Sequence, residues 1–266
     1  MKPEADWALA LFRRSVLKQR KLDTITALLG PTEGLRCLDL GSDNGVVSLL
    51  LRQRGGDWAS ADLTEEAVRS IRELVETDVH LVDGAHLPFA DASLDRAVIV
   101  DMLEHVADDG ALLAELARVV RPAGRLVVAT PHLKHTLLRR FRLALGQTDE
   151  KHGHLRPGYT VPDLGRLLDH AGFELEAHDT YSRFFSELLD TAIHWGMERL
   201  GKKGSAKGVV VTRNDVEANR KAFRAFSLVY PFAWLVSRLD VLIPWSSGYM
   251  LVARARRRPP APPQLG

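Results

Sequence analysis

Between residues 35 and 130, short apolar runs alternate with segments of helical periodicity, and this alternation constrains the fold more than any other feature of the sequence. The apolar runs lie at 35–40, 58–61, 79–82, 97–100 and 126–129. Such runs are typical of strands buried on both faces, and the helices between them return the chain to the same edge of a sheet. With two further strands expected at 173–177 and 248–255, we predict an α/β fold with a Rossmann-like, seven-stranded, mostly parallel sheet and helices on both faces.

The segments outside this alternation have other patterns. Residues 1–34 predict an N-terminal helical cap, with one helix over 5–29, and residues 35–177 predict the core. Residues 178–247 are too long for a bare loop, and their spaced aromatic residues predict a helical insertion with a flexible break at 201–208. A final core strand with a basic end is expected at 248–258, and the Pro-rich residues 259–266 are expected to be disordered.

Composition excludes some classes of protein. A net charge of +2 and scattered basic clusters do not form a continuous basic groove, so we expect no nucleic-acid partner. Cys37 is the single cysteine, which excludes an intrachain disulfide. The N-terminal residues lack the basic-then-apolar layout of a signal peptide, and a cytoplasmic location is expected.

Acidic residues and glycines follow three of the predicted strands. The first strand runs through Asp39 into a turn bounded by Gly41 and Gly45, the second ends at Asp62, and the third is followed by Asp83. A glycine turn that leads into a helix presents backbone N–H groups to an anionic ligand. A carboxylate at the end of the second strand can accept hydrogen bonds from ribose hydroxyls, although it can also cap the next helix.

The ordered set of segments resembles the class I S-adenosylmethionine-dependent methyltransferases, of the broad type that includes ubiquinone- and menaquinone-pathway enzymes. The matching segments are the Asp39 turn, Asp62, residues 83–89, the Leu-Glu-His-Val segment at 103–106 and residues 115–124. The resemblance covers about residues 35–180, and the strand at 248–255 also fits.

The resemblance implies that the core binds S-adenosyl-L-methionine. The residues it assigns to the cofactor are Asp39, Gly41, Ser42, Asp43, Gly45, Asp62, Leu63, Asp83, Gly84, Asp101 and Met102. Asp62 would hold the ribose, and Asp83 would accept a hydrogen bond from the adenine amine. Leu63 and Leu103 would form the walls of the purine site. Because its sheet also has a glycine turn and a ribose acid, a nicotinamide-dependent oxidoreductase is the competing enzyme class, but the turn lacks the Gly-x-Gly-x-x-Gly spacing.

Asp43 departs from the family pattern, which usually has glycine at that position. Aspartate tolerates a left-handed backbone better than most residues. Its charge would attract the ammonium group of the cofactor and repel the carboxylate. A binding or regulatory protein that retains the fold without catalysis is therefore the alternative to an enzyme.

Histidines supply the candidate general bases. His105 follows the fourth strand, and His152 and His154 lie in a charged connection after the fifth. In the same connection, Arg156 and Tyr159 are the predicted substrate-binding residues, with Arg156 as a clamp for an anionic group. The two histidines at 152 and 154 lack a complete set of companion ligands, so no metal site is predicted.

The aromatic residues between 223 and 245 favour a lid over the active site or contact with a bilayer surface. In the second case, we expect the arginines at 254–258 to meet anionic headgroups at the inner surface of the membrane. Together with the resemblance, these features predict a methyltransferase that acts on an oxygen atom of a small-molecule or lipid-linked acceptor. Peripheral membrane contact would be made through 223–258. It does not define an oligomeric state.

Overall fold

The computed structural model describes residues 3–134, 136–146, 153–199 and 220–259. The helices are α1 (Pro3–Phe12), α2 (Val16–Leu29), α3 (Val46–Arg52), α4 (Glu65–Val75), α5 (Asp109–Val119), α6 (Leu137–Ala144), α7 (Val161–His170), α8 (Phe184–Arg199) and α9 (Arg220–Arg238). The strands are β1 (Arg36–Leu40), β2 (Asp57–Asp62), β3 (Val79–Leu81), β4 (Leu94–Val100), β5 (Val120–Pro131), β6 (Phe173–Tyr181) and β7 (Met250–Arg257). Short 3₁₀ helices cover Leu103–His105 and Leu239–Leu242.

The seven strands form one sheet in the order β3-β2-β1-β4-β5-β7-β6. Strands β1 to β5 pair in parallel, and β7 is antiparallel to both of its neighbours. The predicted seven-stranded, mostly parallel sheet is confirmed. Because the first five strands run in one direction, their carboxyl ends meet at one edge, where a site is expected in open α/β sheets.

Alternate residues of the central strands enter two cores on opposite faces of the sheet. Leu38 and Leu40 of β1 pack in one core with the buried leucines of α5 and α7. Cys37, on the other face, packs with residues of α1, α2 and α3. The single cysteine is therefore a buried packing residue, and burial raises the pKa of its thiol to about 12.

The predicted single helix over 5–29 is wrong in one respect, because the chain breaks into α1 and α2. Ser15 caps the second helix, and its side chain accepts a hydrogen bond from the backbone N–H of Lys18. The break lets α2 turn across the sheet face, where it packs on β5, β6 and β7. As a result, Lys18 and Lys21 reach the carboxyl edge of the sheet.

The insertion between Tyr181 and Met250 contains α8, α9 and the second 3₁₀ helix. Strand β6 runs to Tyr181, so the insertion begins later than the predicted residue 178. The expected break at 201–208 and most of the tail at 259–266 lie outside the described residues. In the part of the chain that the structure describes, no helix is both long and apolar enough to span a bilayer.

Asp240 holds the start of α8 from the far end of the insertion. Its buried carboxylate accepts hydrogen bonds from the backbone N–H groups of Arg183, Phe185 and Ser186 at 3.1, 2.9 and 3.3 Å. The Ser186 hydroxyl donates a further bond at 2.6 Å. Asp240 therefore acts as a helix cap that closes the insertion on itself.

Asp240→Ala is expected to lower the free energy of unfolding by about 2 kcal/mol, because several buried N–H groups lose a charged acceptor. Asp179→Ala is the matched control, since that carboxylate lies in an exposed stretch of β6. Urea unfolding followed by circular dichroism measures both. Equal stability of the two variants would contradict a capping role.

Candidate active site

The turn after β1 brings the chain against the end of β4. Gly41 has φ +81°, and a Cβ atom at this position would lie 2.4 Å from the Val100 carbonyl oxygen and 2.7 Å from the Met102 Cβ. Gly45 has φ +79°, and its Cβ would lie 2.7 Å from the Ile71 Cα. Both positions therefore require glycine, for the backbone conformation and for space. The turn leads directly into α3, whose first N–H groups face the same edge.

Asp39 organises this turn from inside. The carboxylate is fully buried and accepts hydrogen bonds from the hydroxyls of Ser42, Ser48 (2.6 Å) and Ser60 (2.7 Å), and from the Arg52 guanidinium at 3.3 Å. The assignment of Asp39 and the Ser42 side chain to direct cofactor contact is thus corrected. Their polar atoms are used within the protein, where they fix the shape of the turn.

Asp43 adopts the left-handed conformation, with φ +55°. Burial raises the pKa of its carboxyl, and the ammonium groups of Lys18 and Lys21 oppose this by lowering it. Burial in turn lowers the pKa of Lys18, while Asp43 raises it. The negative charge of Asp43 is therefore offset by two ammonium groups from α2. Because of this offset, Asp43 is not expected to repel the carboxylate of the cofactor.

Asp62 lies at the end of β2, beside the turn. It is 8 % exposed, and its two carboxylate oxygens accept hydrogen bonds from the backbone N–H groups of Leu63 at 2.8 Å and Asp43 at 3.4 Å. Burial raises the pKa of Asp62 to about 6, although these two backbone donors lower it. The carboxylate is held at the edge of the sheet in the position expected of a ribose ligand.

The affinity for S-adenosylhomocysteine is expected to fall roughly tenfold as the pH is lowered from 7 to 5. Hydroxyl donors favour the ionised carboxylate, whose pKa of about 6 is raised mainly by burial and also by the facing Asp43. Binding is therefore fully present above pH 7 and is lost as Asp62 takes up a proton. Calorimetry across this range measures the change, and Asp62→Asn should bind weakly with little pH dependence. A wild-type affinity that does not change with pH would contradict the assignment.

Asp83 and Gly84 follow β3 at the same edge. One oxygen of Asp83 accepts hydrogen bonds from the backbone N–H groups of Ala85 and His86 at 2.8 and 2.9 Å, which lowers the pKa of the exposed carboxyl. A Cβ on Gly84 would lie 3.2 Å from Val106 Cγ1 and 3.3 Å from Leu63 Cδ2. These two side chains form apolar walls beside the glycine, and contact of Asp83 with adenine stays a prediction.

Leu103, the other predicted wall, is fully buried in the core. The side chain that lies beside Gly84 together with Leu63 is that of Val106, which is 6 % exposed. The sequence did not single out Val106, because its spacing is that of an ordinary core residue.

The chain leaves β4 through Asp101, which has φ +46°. One carboxylate oxygen of Asp101 pairs with the Lys21 ammonium, and the other is buried without a hydrogen-bond partner among the described residues. Met102 is 2 % exposed and packs against Gly41. The predicted pair Asp101 and Met102 therefore lies next to the glycine turn, as a shared cofactor site requires.

Glu104 is the residue that sequence analysis missed. It is 1 % exposed, and its Oε2 accepts a hydrogen bond from the Thr130 hydroxyl at 3.1 Å. Its Oε1 has no hydrogen-bond partner within the described part of the chain. Burial raises the pKa of the carboxyl strongly, and Asp101 raises it further. The Leu-Glu-His-Val segment carried the signal, but only the fold shows that the glutamate points inward.

The structure brings His105 and His154 together, although 48 residues separate them in the sequence. Their ring centroids lie 4.8 Å apart in an edge-to-face arrangement. One donor atom from each histidine and one carboxylate oxygen of Glu104 lie within 4.8 Å of one another. His152, the third candidate base, lies outside the described residues.

Arg156 and Tyr159 hold the loop in place. The Arg156 guanidinium donates to the carbonyl oxygens of Leu103 and Ala107 at 3.0 and 2.9 Å and forms an ion pair with Asp109 at 3.0 Å. The Tyr159 hydroxyl donates to the same Asp109 carboxylate at 2.6 Å. The hypothesis of an anion clamp at Arg156 is corrected, because its donors are already used to fasten the loop to the chain after β4.

The arrangement fits S-adenosylmethionine. The glycine turn and α3 provide backbone donors, Asp62 provides the ribose acceptor, and Leu63 and Val106 flank an apolar slot beside Asp83. Lys18 and Lys21 offset the negative charge of Asp43 beside the turn, where the amino-acid end of the cofactor would be bound.

Known proteins are similar to the part of the chain that runs from β1 into β5. Residues 38–128 match the family model described as a methyltransferase domain. The chain is 33 % identical over 105 residues to a ubiquinone biosynthesis O-methyltransferase from Sinorhizobium medicae, covering 38 % of this chain and 42 % of that protein. It is 40 % identical over 104 residues to a demethylmenaquinone methyltransferase from a Mycobacterium species, covering 38 % and 44 %. The chain spans less than half the length of these curated relatives.

A solved structure shares the fold over most of the chain. It is that of a putative sarcosine dimethylglycine methyltransferase from Galdieria sulphuraria, with a TM-score of 0.60 at 14 % identity, covering 94 % of this chain and 88 % of that one. The family match, the strand order and the acidic edge agree with one another. Residues 38–128 are therefore similar to a methyltransferase domain, and the sheet as a whole has the fold of a solved methyltransferase structure.

Proposed function

We propose that this protein transfers a methyl group from S-adenosylmethionine to an oxygen atom of a small-molecule or lipid-linked acceptor. The observation that carries the proposal is the cluster of Glu104, His105 and His154 directly after β4, beside the residues assigned to the cofactor. A hydroxyl acceptor must lose a proton to become a good nucleophile, and a carboxyl with two imidazoles is suited to bind it and to assist that loss.

Separate residues of the chain bind the cofactor, orient the acceptor and exclude water. Bound S-adenosylmethionine supplies an electrophilic methyl group on a sulfonium sulfur. Asp62 and the glycine turn fix the nucleoside and amino-acid ends, so that the acceptor meets the methyl group in one orientation. Leu103, Val106 and Met102 are buried around the end of β4 and exclude water from it.

Tyr181 extends the acceptor side of the site. Its side chain is buried, and the hydroxyl has no hydrogen-bond partner among the residues described. Burial raises the pKa of Tyr181 well above its usual value, and Asp101 and Glu104 raise it further, so the hydroxyl stays protonated. A protonated phenol can donate to an oxygen of the acceptor.

The names of the relatives support a proposal for the acceptor class. Their names place them in ubiquinone biosynthesis and in the methylation of demethylmenaquinone. For this chain we propose a ring hydroxyl of a quinol-type or related aromatic acceptor. A panel of catechols and hydroquinones, with and without prenyl chains, is incubated with labelled cofactor, and products that gain one methyl group are identified by mass. Binding of S-adenosylhomocysteine together with an O-methylated product supports the proposal, and the absence of binding overturns it.

An enzyme with a lipid-linked acceptor has to contact the membrane surface, and we propose that the insertion makes this contact. Leu228, Phe232 and Leu235 lie on one face of α9, are 82, 61 and 59 % exposed, and form an apolar surface. Leu242 and Trp245, further along the insertion, are also exposed. The arginines at 254–258 do not contribute as expected, because they form ion pairs within the protein: Arg254 with Glu176, Arg256 with Glu174 and Glu176, and Arg258 with Asp169. The contact we propose is therefore apolar, and the headgroup interpretation of 254–258 is corrected.

Flotation with phosphatidylcholine vesicles is expected to recover the full chain, and Phe232→Ser with Leu235→Ser is expected to abolish recovery. Because the contact is apolar, adding anionic lipid should change the recovered fraction little. Leu137→Ser on α6 is the matched control, since that leucine is 80 % exposed outside the apolar surface. Recovery only with anionic vesicles would contradict the apolar contact.

A further inference from the structure

We propose that Glu104, His105 and His154 bind a divalent first-row transition-metal ion beside the cofactor pocket, and that this ion holds the acceptor hydroxyl. The second half of this statement rests on the proposed function, whereas the metal site itself does not. Three kinds of observation support the site: the closeness of the donor atoms, the orientation of one imidazole, and an unsatisfied buried carboxylate.

The donor atoms are held together by the backbone. One ligand atom from each of the three residues lies within 4.8 Å of the others. Glu104 and His105 belong to the 3₁₀ helix after β4, and His154 belongs to the loop 153–159. The backbone N–H of Leu155 donates to the Glu104 carbonyl oxygen at 3.0 Å, which fastens that loop to the 3₁₀ helix. Small rotations of the side chains would therefore bring the three atoms to the separation found around one ion.

His105 is oriented as a metal ligand is. Its Nδ1 lies 3.0 Å from the Gly153 carbonyl oxygen. A carbonyl only accepts hydrogen bonds, so Nδ1 carries the proton and Nε2 keeps its lone pair. Histidines that bind metals generally donate their second N–H to a carbonyl or carboxylate in this way.

Glu104 supplies the independent observation. The side chain is 1 % exposed, yet Oε1 has no hydrogen-bond partner within the described residues, while Oε2 is held by Thr130. A buried polar atom without a partner is costly, and a bound cation would satisfy it. Asp101 also has one buried oxygen without a partner and lies close enough to influence Glu104.

The donor set indicates the class of ion. Two imidazoles and one carboxylate suit Zn²⁺, Co²⁺, Mn²⁺ or Fe²⁺, whereas Mg²⁺ and Ca²⁺ prefer ligand sets made of oxygen atoms. Three protein ligands leave coordination positions open for an acceptor oxygen. A hydroxyl bound to the ion releases its proton to water more readily than a free one, because the ion stabilises the oxygen anion that remains.

Calorimetric titration of the metal-free, untagged full chain with Co²⁺, and separately with Zn²⁺, tests the site. We expect one ion per chain. Glu104→Gln and His154→Ala should each weaken binding at least tenfold, because each removes one ligand. His170→Ala on α7 is the matched control, since that histidine is exposed and lies outside the cluster.

The outcomes separate this inference from the proposed function. The absence of binding by the wild-type chain, or equal binding by both ligand variants and the wild type, overturns the metal site. Each variant is also titrated with S-adenosylhomocysteine, and unchanged affinity shows that the pocket is folded. Should Glu104→Gln fail to fold, His154→Ala decides alone, since His154 lies in a loop. Metal binding without nucleoside binding would leave this site in place and overturn the methyltransferase proposal.

Discussion

Glu104→Gln is expected to lower the turnover number about 100-fold on the acceptor that the panel identifies, with little change in the affinity for S-adenosylhomocysteine. The amide keeps the volume of the side chain, so the buried site stays packed. It removes the carboxylate, which the proposed mechanism uses to hold a metal ion and to assist deprotonation of the acceptor. Losses of this size are typical when a group of this kind is removed from a proton-transfer or metal site.

The measurement for this variant is steady-state transfer of labelled methyl, combined with calorimetry. Glu73→Gln is the matched control, because Glu73 lies on the exposed face of α4. Full turnover by Glu104→Gln would exclude the carboxylate from the reaction and leave only a packing role. A loss of nucleoside binding as large as the loss of turnover would instead show that Glu104 supports the cofactor pocket.

Gly41→Ala is expected to weaken S-adenosylhomocysteine binding about 100-fold and to lower the free energy of unfolding by about 3 kcal/mol. The new methyl group would lie 2.4 Å from the Val100 carbonyl oxygen, closer than real Cβ atoms approach. The positive φ adds strain for a residue with a side chain. The turn must therefore move away from β4, and the backbone donors assigned to the cofactor move with it.

Gly34→Ala separates the two causes. Gly34 has φ +70°, but nothing lies within 4 Å of the position of its Cβ atom. This variant should lose about 1 kcal/mol from backbone strain alone and should keep its nucleoside affinity. Urea unfolding and calorimetry measure both quantities. Equal effects of the two substitutions would show that crowding against β4 does not matter.

The alternation of apolar runs was enough to predict the sheet, because strands buried on both faces appear in the sequence as continuous apolar segments. The acidic residues at strand ends were likewise placed at one edge by the rule that parallel strands end together. The exact helix boundaries were harder to predict from the sequence, because the break at Ser15 depends on how α2 packs across the sheet. That packing is a tertiary effect, and a local pattern of apolar residues does not contain it.

The site was predicted less completely for a related reason. The sequence identified His105 and His154 separately, but their contact depends on a loop that returns to the end of β4. Arg156 was expected to meet the substrate, and the same loop turns its guanidinium towards Asp109. Glu104 was passed over, because a glutamate beside a histidine looks like an exposed residue until the fold shows its burial. Loop geometry, which has no periodic signature, decided all three cases.

The ends of the helical insertion meet where it leaves and rejoins the sheet. The Gly248 N–H donates to the Thr180 hydroxyl at 2.9 Å, and the Tyr249 N–H donates to the Ser182 carbonyl oxygen at 3.1 Å. A Cβ on Gly248 would lie 2.0 Å from the Tyr181 carbonyl oxygen, so the two crossing points are in direct contact. The insertion between these points can change in length without changing the register in which β6 and β7 pair. A chain with a longer or shorter insertion would therefore keep the same pairing of β6 with β7 and the same edge of the sheet.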